Sequence, residues 1–160
     1  MIVLTSALLG STFTALEKKR IGMLMSLKTS AFALKTALIR RGHTLDRALE
    51  ESRSDDTHLF TKCAQIFKEH PLYDAKEAAQ IAAGAAKKEG VDKDITGTFV
   101  EYIGELSCAG CAEQIEQSTA SFTQRLEELI AQTKEVRMKR ARTFKNLCLF
   151  SGIALGIILI

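Results

Sequence analysis

The sequence predicts an all-α protein, a membrane-anchored antiparallel helical bundle with a transmembrane helix at each end. Its 160 residues include a single proline, Pro71, and no stretch alternates apolar and polar residues as a half-buried strand does. Residues 1–16 and 146–160 carry no charged side chain, whereas the region between them is rich in charge. A chain of this length is typical of one domain, which the two uncharged ends would fix to a bilayer.

The sequence divides into three segments. Residues 1–19 are predicted to form an N-terminal transmembrane segment, residues 20–144 a cytoplasmic helical bundle, and residues 145–160 a C-terminal transmembrane segment. The spans are short, because a helix of about 15 residues extends about 22 Å and the hydrocarbon core is about 30 Å thick. Snorkelling of a flanking lysine and local thinning of the bilayer close this gap. A cleaved signal peptide and a buried core helix are the alternatives for the first run, but a signal peptide carries its basic residues before the apolar run.

The basic side chains next to the uncharged runs predict the topology. Both clusters lie toward the middle of the chain, and lysine and arginine beside a span stay on the cytoplasmic side. Both clusters therefore predict a cell-membrane protein with two spans, whose central bundle lies in the cytoplasm. The same cations can bind anionic lipid headgroups at the membrane surface. The flanking residues are Lys18, Lys19, Arg20, Arg137, Lys139, Arg140, Arg142 and Lys145.

The first two helices of the bundle follow Arg20. Apolar residues then recur with the three–four spacing that lines one helix face. Arg40-Arg41-Gly42 supplies cations for the last turn and a glycine for a left-handed cap. A short second helix should follow, N-capped by Thr44. The residues predicted to face the core are Leu24, Leu27, Ala31, Leu34 and Leu38 in the first helix and Leu45, Ala48 and Leu49 in the second.

The third and fourth helices are bounded by strong local signals. The third should start after a cap within residues 54–56 and must end before Pro71, because proline disfavours helical backbone in the residue before it. The fourth is predicted over residues 75–88, with Asp74 as its N-cap and Gly90 as its stop. Its many alanines allow neighbouring helices to approach closely.

Two further helices complete the bundle. The fifth should start at Asp92 or Asp94, and its inward stripe runs from Ile95 to Leu106. From about Ala109 onward, no proline interrupts the apolar periodicity. We therefore expect one long helix that runs through the basic residues and into the C-terminal uncharged run.

A Cys-x-x-Cys pair, Cys108 and Cys111, is the sharpest chemical motif. A redox role needs a lowered thiol pKa, usually at a helix N-terminus that follows a strand, and no strand is predicted here. A structural zinc site needs two more ligands, and Cys63 and Cys148 are isolated. We favour the interpretation that the two cysteines are simply small residues at a turn between helices. A thiol oxidoreductase and a zinc site are the alternatives.

No other motif predicts catalysis or a cofactor. The chain lacks a phosphate-binding loop and a Gly-x-Ser-x-Gly elbow, and its histidines have no nucleophile or acid at a matched spacing. Positive charge concentrates beside the two ends rather than across a folded face, and the aromatic side chains are scattered, which argues against nucleic acid. We therefore expect no enzyme, no cofactor, no metal site and no nucleic-acid partner.

Two patterns indicate contacts with other helices or chains. Gly152 and Gly156 form a Gly-x-x-x-Gly pair that can pack against another span, including that of a second copy in a homo-oligomer, although glycine is also frequent in membrane helices. Cationic side chains around the first turn are the candidate partner-binding surface: Arg40, Arg41, Arg47 and Arg53.

The whole organisation resembles one family, the stage III sporulation protein AB of spore-forming Firmicutes. Residues 20–49 resemble its leucine-spaced first helix followed by a turn and Leu45-Asp46-Arg47-Ala48-Leu49. Residues 90–106 are similar to its middle glycine and helix. The most specific likeness is residues 139–160, where basic residues and Lys145-Asn146-Leu147 precede an apolar terminus.

The resemblance implies a specific setting for this chain. The family works in the mother-cell membrane during endospore formation, in a secretion-like complex that joins mother cell and forespore. Its bundle is similar to the cytoplasmic domains of inner-membrane platform proteins of type II secretion and type IV pilus systems. The implied partners are other stage III sporulation proteins, including the secretion-type ATPase stage III sporulation protein AA, and membrane lipid. Two alternatives stay open: a platform protein of a pilus or type II system, and a membrane-tethered thiol oxidoreductase using Cys108 and Cys111.

Overall fold

Six α-helices and no strand make up the part of the chain that the computed structural model describes, which confirms the all-α prediction. The backbone is described over residues 2–52, 56–70 and 72–158, and the side chains over residues 18–52, 56–70, 72–136, 139 and 143. The helices are α1 (Ile2–Arg41), α2 (Leu45–Glu51), α3 (Leu59–Glu69), α4 (Ala75–Lys88), α5 (Lys93–Cys108) and α6 (Ala112–Ile158).

The first and last helices are far longer than the others, with 40 residues in α1 and 47 in α6. α6 confirms the expected unbroken helix through the basic residues into the C-terminal uncharged run. α1 includes both the N-terminal uncharged run and the first bundle helix. The sequence predicts these as two separate segments. Nothing in residues 2–41 breaks a helix, because the stretch has no proline.

Membrane spans were predicted at both ends of the chain. Within the described residues, no helix combines the length and the apolarity that crossing a bilayer requires.

α1 and α6 pack against each other as an antiparallel pair. The Nζ atom of Lys28 lies 2.5 Å from Oε1 of Glu127, and farther along α1 Leu38 lines the same cleft as Ile115. Residue numbers therefore fall along α6 as they rise along α1. Both uncharged helix ends leave the bundle at one end, and the α1–α2 and α5–α6 turns lie at the other.

The bundle closes around the inward stripe of α1. Leu24, Leu27, Ala31 and Leu34 are fully buried, as their spacing predicts, whereas Leu38 is half-buried. Successive helices α3, α4 and α5 pack side by side, and the buried alanines of α4 permit their close approach.

Aromatic side chains connect α5 to α3 and to α6. The rings of Phe60 in α3 and Phe99 in α5 meet edge to face with centroids 5.1 Å apart, and Tyr102 stacks on Phe122 of α6 at 4.2 Å. The buried Tyr102 hydroxyl lies 3.2 Å from the Thr119 hydroxyl, so its polar atom is satisfied inside the core.

Helix boundaries follow local signals at most positions. Asp74 forms a full capping box with Glu77 at the start of α4. Asp92, one of the two candidates, caps α5, accepting a hydrogen bond from the Asp94 N–H at 3.0 Å. Gly90 has a φ of 90° after α4, a conformation that glycine adopts without strain.

The predicted start of α3 was wrong. The N-cap is His58, which has a left-handed φ of 55° and no capping side-chain bond, rather than a residue within 54–56. The backbone N–H of Asp56 instead donates to Oγ of Ser26 on α1 at 2.8 Å. The sequence predicted that a residue within 54–56 caps α3 locally. Instead, the Asp56 N–H makes a tertiary hydrogen bond to α1.

Candidate docking surface at the turn end of the bundle

The turn between α1 and α2 is built by its glycine. Gly42 has a φ of 62°, in the left-handed region, and the next N–H, of His43, donates to the Ala37 carbonyl at 3.2 Å. This closure ends α1 and brings Arg40 and Arg41 close to α2. The sequence predicted this cap.

The arginine cluster is less cationic than its sequence indicates. Arg40, Arg41 and Arg47 are all exposed, but the Arg41 guanidinium lies 2.6 Å from Oε2 of Glu51 at the end of α2. Arg53 falls outside the described residues. Within the described side chains, Arg40 and Arg47 remain as the cations of this turn without an ion pair.

Carboxylates are interleaved with these arginines. Oε1 of Glu51 lies 3.2 Å from Nδ1 of His43. A hydrogen bond from the Thr44 side chain holds the pKa of Asp46 below its usual range, and the positive charge of Arg47 adds to this effect. Asp46 is therefore ionised at neutral pH, and the turn presents alternating charges of both signs.

A cleft of 510 Å³ opens beside the turn. Polar and apolar surface line it in similar measure, and every one of the six helices contributes, so the cleft depends on the complete bundle. The sequence did not predict it, because residues from such distant positions meet only in the fold. The lining residues are Leu38, His43, Leu45, Asp46, Phe67, Ala75, Leu106, Ser107, Ala109 and Ile115.

The Cys-x-x-Cys pair lies at the rim of the same end. Cys108 is the last residue of α5, Cys111 directly precedes α6, and both thiols are free and exposed. Cys63 is buried, and burial raises its pKa to about 12. Among the described side chains, no group of three or more histidine, cysteine or acidic residues is placed to hold a metal ion.

The flanking basic residues lie toward the opposite end of the bundle. Lys18 and Lys19 are exposed, whereas Arg20 is half-buried and its guanidinium lies 2.8 Å from Asp92. Arg20 therefore anchors α1 to the start of α5, a role the sequence did not predict. Lys139 pairs with Glu135 one turn earlier at 2.8 Å. The remaining predicted residues lie outside the described side chains: Arg137, Arg140, Arg142, Lys145, Gly152 and Gly156.

These features define a helical-bundle protein with a cleft at one end and two long helices that extend from the other. Its sequence matches the family model of stage III sporulation protein AB over residues 1–160, and the chain belongs to that family. The recognition made from the sequence is confirmed, and with it a role in sporulation. No curated protein and no solved structure matches this chain.

Proposed function

We propose that this protein is a non-enzymatic membrane platform component of a sporulation-specific secretion-like complex, and that it docks a secretion-type ATPase on the mother-cell side. The antiparallel α1–α6 pair carries the proposal. It directs both uncharged helix ends to one side of the bundle and leaves the cleft on the other.

The lengths of α1 and α6 support anchoring in a bilayer. From the level of the Lys28–Glu127 pair, a straight α1 extends about 39 Å to Ile2, and a straight α6 extends about 46 Å to Ile158. These lengths carry each uncharged run clear of the bundle, with the basic stretch in between. The uncharged run itself extends about 22 Å, so local thinning of the bilayer has to make up the difference from the hydrocarbon thickness of about 30 Å. The basic residues then lie where they would face the cytoplasm.

The position of the cleft supports docking of a cytoplasmic partner. It faces away from the uncharged ends, and its volume of 510 Å³ accommodates a side chain with both apolar and polar groups from another protein. Protein interfaces combine a central apolar pocket with a polar rim, and here Arg40 and Arg47 can supply that rim.

Cysteine labelling tests the anchoring. In a full-length variant without its native cysteines, Asp56→Cys and Ile160→Cys are made separately and intact cells are treated with a membrane-impermeant maleimide. We expect labelling of Ile160→Cys in intact cells and of Asp56→Cys only after lysis. Equal labelling at both positions, or release of the protein from membranes by alkaline carbonate, would contradict the two-span arrangement.

Charge reversal tests the docking. The double variant Arg40→Glu/Arg47→Glu should reduce co-purification of the secretion-type ATPase about tenfold, because like charges at an interface oppose association. Lys87→Glu is the matched control, since Lys87 is an exposed cation on another part of the bundle. Unchanged capture by the double variant, or equal loss in the control, would exclude this end as the docking surface.

The exposed Cys108 and Cys111 thiols keep the thiol oxidoreductase as a second candidate. It requires both thiols, because the dithiol must donate two electrons when its disulfide forms. The platform function predicts normal spore yield from Cys108→Ser/Cys111→Ser. A sporulation defect in a stably folded double variant would favour the oxidoreductase instead.

A further inference from the structure

The outward face of α1 carries a continuous uncharged stripe. Gly22, Met25, Thr29, Phe32 and Thr36 follow one another at spacings of three, four, three and four residues, and we call this stripe the outer seam. Met25 is 50% exposed and Phe32 is 45% exposed, although both are large and apolar. Such spacing is the pattern by which one helix packs along another.

The two threonines of the outer seam do not make it polar. The Thr29 hydroxyl donates to the Met25 carbonyl at 3.1 Å, and the Thr36 hydroxyl donates to the Phe32 carbonyl at 2.9 Å. Their donors are thus used within α1. The outer seam is therefore an apolar surface, and an exposed apolar surface of this kind marks an interaction site.

The charges that α1 itself places beside the outer seam all have one sign. Every charged residue from Lys18 to Arg41 is lysine or arginine. Lys28 is paired with Glu127, but Lys35 and Arg40 have no carboxylate partner among the described side chains. The ammonium of Lys35 lies 5.9 Å from the centre of the Phe32 ring, directly beside the seam.

We propose that the outer seam binds an amphipathic helix of another protein, whose apolar face packs on Met25 and Phe32 and whose flanking carboxylates pair with Lys35 and Arg40. Carboxylates satisfy the two cations, and an apolar stripe covers the exposed side chains. The inference uses no contact in the cleft, and it rests on the proposed function only in that membrane anchoring is used below to weigh a lipid surface as the occupant.

A second copy is a poor occupant of the outer seam. In a parallel pair of α1 helices, with Thr29 and Phe32 at the two core positions of a heptad, Lys35 falls at a flanking position. It then faces Arg40 of the other helix, and these like charges repel. An acidic helix removes the repulsion.

A lipid surface fits the outer seam no better. Phe32 lies about 24 Å along the helix axis from Leu16, the last residue of the N-terminal uncharged run. If that run is in the bilayer and α1 stands upright, the seam is beyond the reach of the headgroups.

Photo-cross-linking in sporulating cells tests the proposal on the full-length protein. A benzoylphenylalanine is installed in place of Phe32, and mass spectrometry identifies the peptide segment that it captures. The matched control carries the same group in place of Ile81, an apolar side chain on α4 that is 49% exposed. We expect the Phe32 position to capture an amphipathic helical segment with carboxylates beside its apolar stripe, and the Ile81 position to capture little of it.

A charge swap then tests the pairing. Lys35→Glu should lower the yield of this cross-link about fivefold, the effect of losing one exposed ion pair, and reversal of the facing carboxylate to lysine should restore it. Capture of another copy of this chain, capture of lipid alone, equal capture of that segment from the Ile81 position, no capture from the Phe32 position, or an unchanged yield in Lys35→Glu would each overturn the proposal.

Discussion

α1 and α6 are alike on their inner faces and different on their outer faces. Each is a long helix that buries an apolar stripe in the bundle, with Leu24 and Leu27 in α1 facing the same core as Phe122 and Leu126 in α6. Outward, α1 presents the uncharged outer seam, whereas α6 exposes mainly amide and charged side chains. These include Gln117, Gln124, Arg125, Glu127, Glu128 and Gln132.

The difference separates folding from recognition. A helix needs only about three of every seven residues to face the core, so the remaining positions are free of packing constraints. α6 fills most of them with groups that water solvates, although Val136 is 43% exposed. α1 leaves Met25 and Phe32 about half exposed, and a binding partner would cover the exposed apolar surface.

The largest expected effect is a difference in stability between substitutions on the inner face and on the outer face of α1. Leu27 is fully buried, so Leu27→Ala should lower the free energy of unfolding by about 2–5 kcal/mol through lost apolar burial and a residual cavity. Met25→Ala on the outer seam should cost less than about 1 kcal/mol, because half of that side chain is already exposed. Denaturant titration of both variants measures the two values, and similar losses would mean that the outer seam is part of the core.

A smaller effect is expected where α5 meets α6. Tyr102→Phe keeps the stacking on Phe122 but removes the hydrogen bond to Thr119, at a cost of about 1 kcal/mol. A cost near zero in denaturant titration would show that this hydrogen bond contributes nothing net, and a cost of several kcal/mol would show that the stacking is lost as well.

The same side chain predicts a pH dependence. Burial raises the pKa of Tyr102 above that of a free tyrosine. Above about pH 10 the unfolded chain therefore loses this proton while the folded chain keeps it, and stability falls as pH rises. Tyr102→Phe should lose less stability than the wild type between pH 9 and pH 11 in thermal melts. Parallel losses in the two proteins would contradict this origin.

The smallest effect is expected at the surface pair between α1 and α6. The side chains of Lys28 and Glu127 are 32% and 60% exposed, so their ion pair should contribute less than about 1 kcal/mol. A double-mutant cycle of Lys28→Ala and Glu127→Ala measures it, and the coupling should weaken in salt. A large, salt-independent coupling would show that this pair, rather than the apolar stripe, holds the two helices together.

Local signals predicted much of the helical framework. The bounds of α4, the caps at Asp74, Gly42 and Gly90, and the inward stripe of α1 all depend on residues close in sequence. A capping carboxylate or a left-handed glycine acts on its own helix end, so the sequence carries the information directly.

What the sequence did not predict depends on distant contacts. The cleft assembles residues of all six helices, and Glu51 neutralises Arg41 only because the turn folds α2 back onto α1. His58 rather than a residue within 54–56 is the N-cap of α3, and the loop before it is bonded to α1 through the Asp56 N–H and Ser26. None of these follows from spacing along the chain.

Spore yield tests the central claim, that the outer face of α1 is a recognition surface and the outer face of α6 is not. Phe32→Gln replaces an apolar seam residue, and Ala131→Gln changes an exposed position on α6. With both variants shown to fold as stably as the wild type, Phe32→Gln should lower the yield about tenfold or more, as expected when an interface anchor is lost, while Ala131→Gln leaves it unchanged. Normal yield from Phe32→Gln, or an equal loss from Ala131→Gln, would contradict the account.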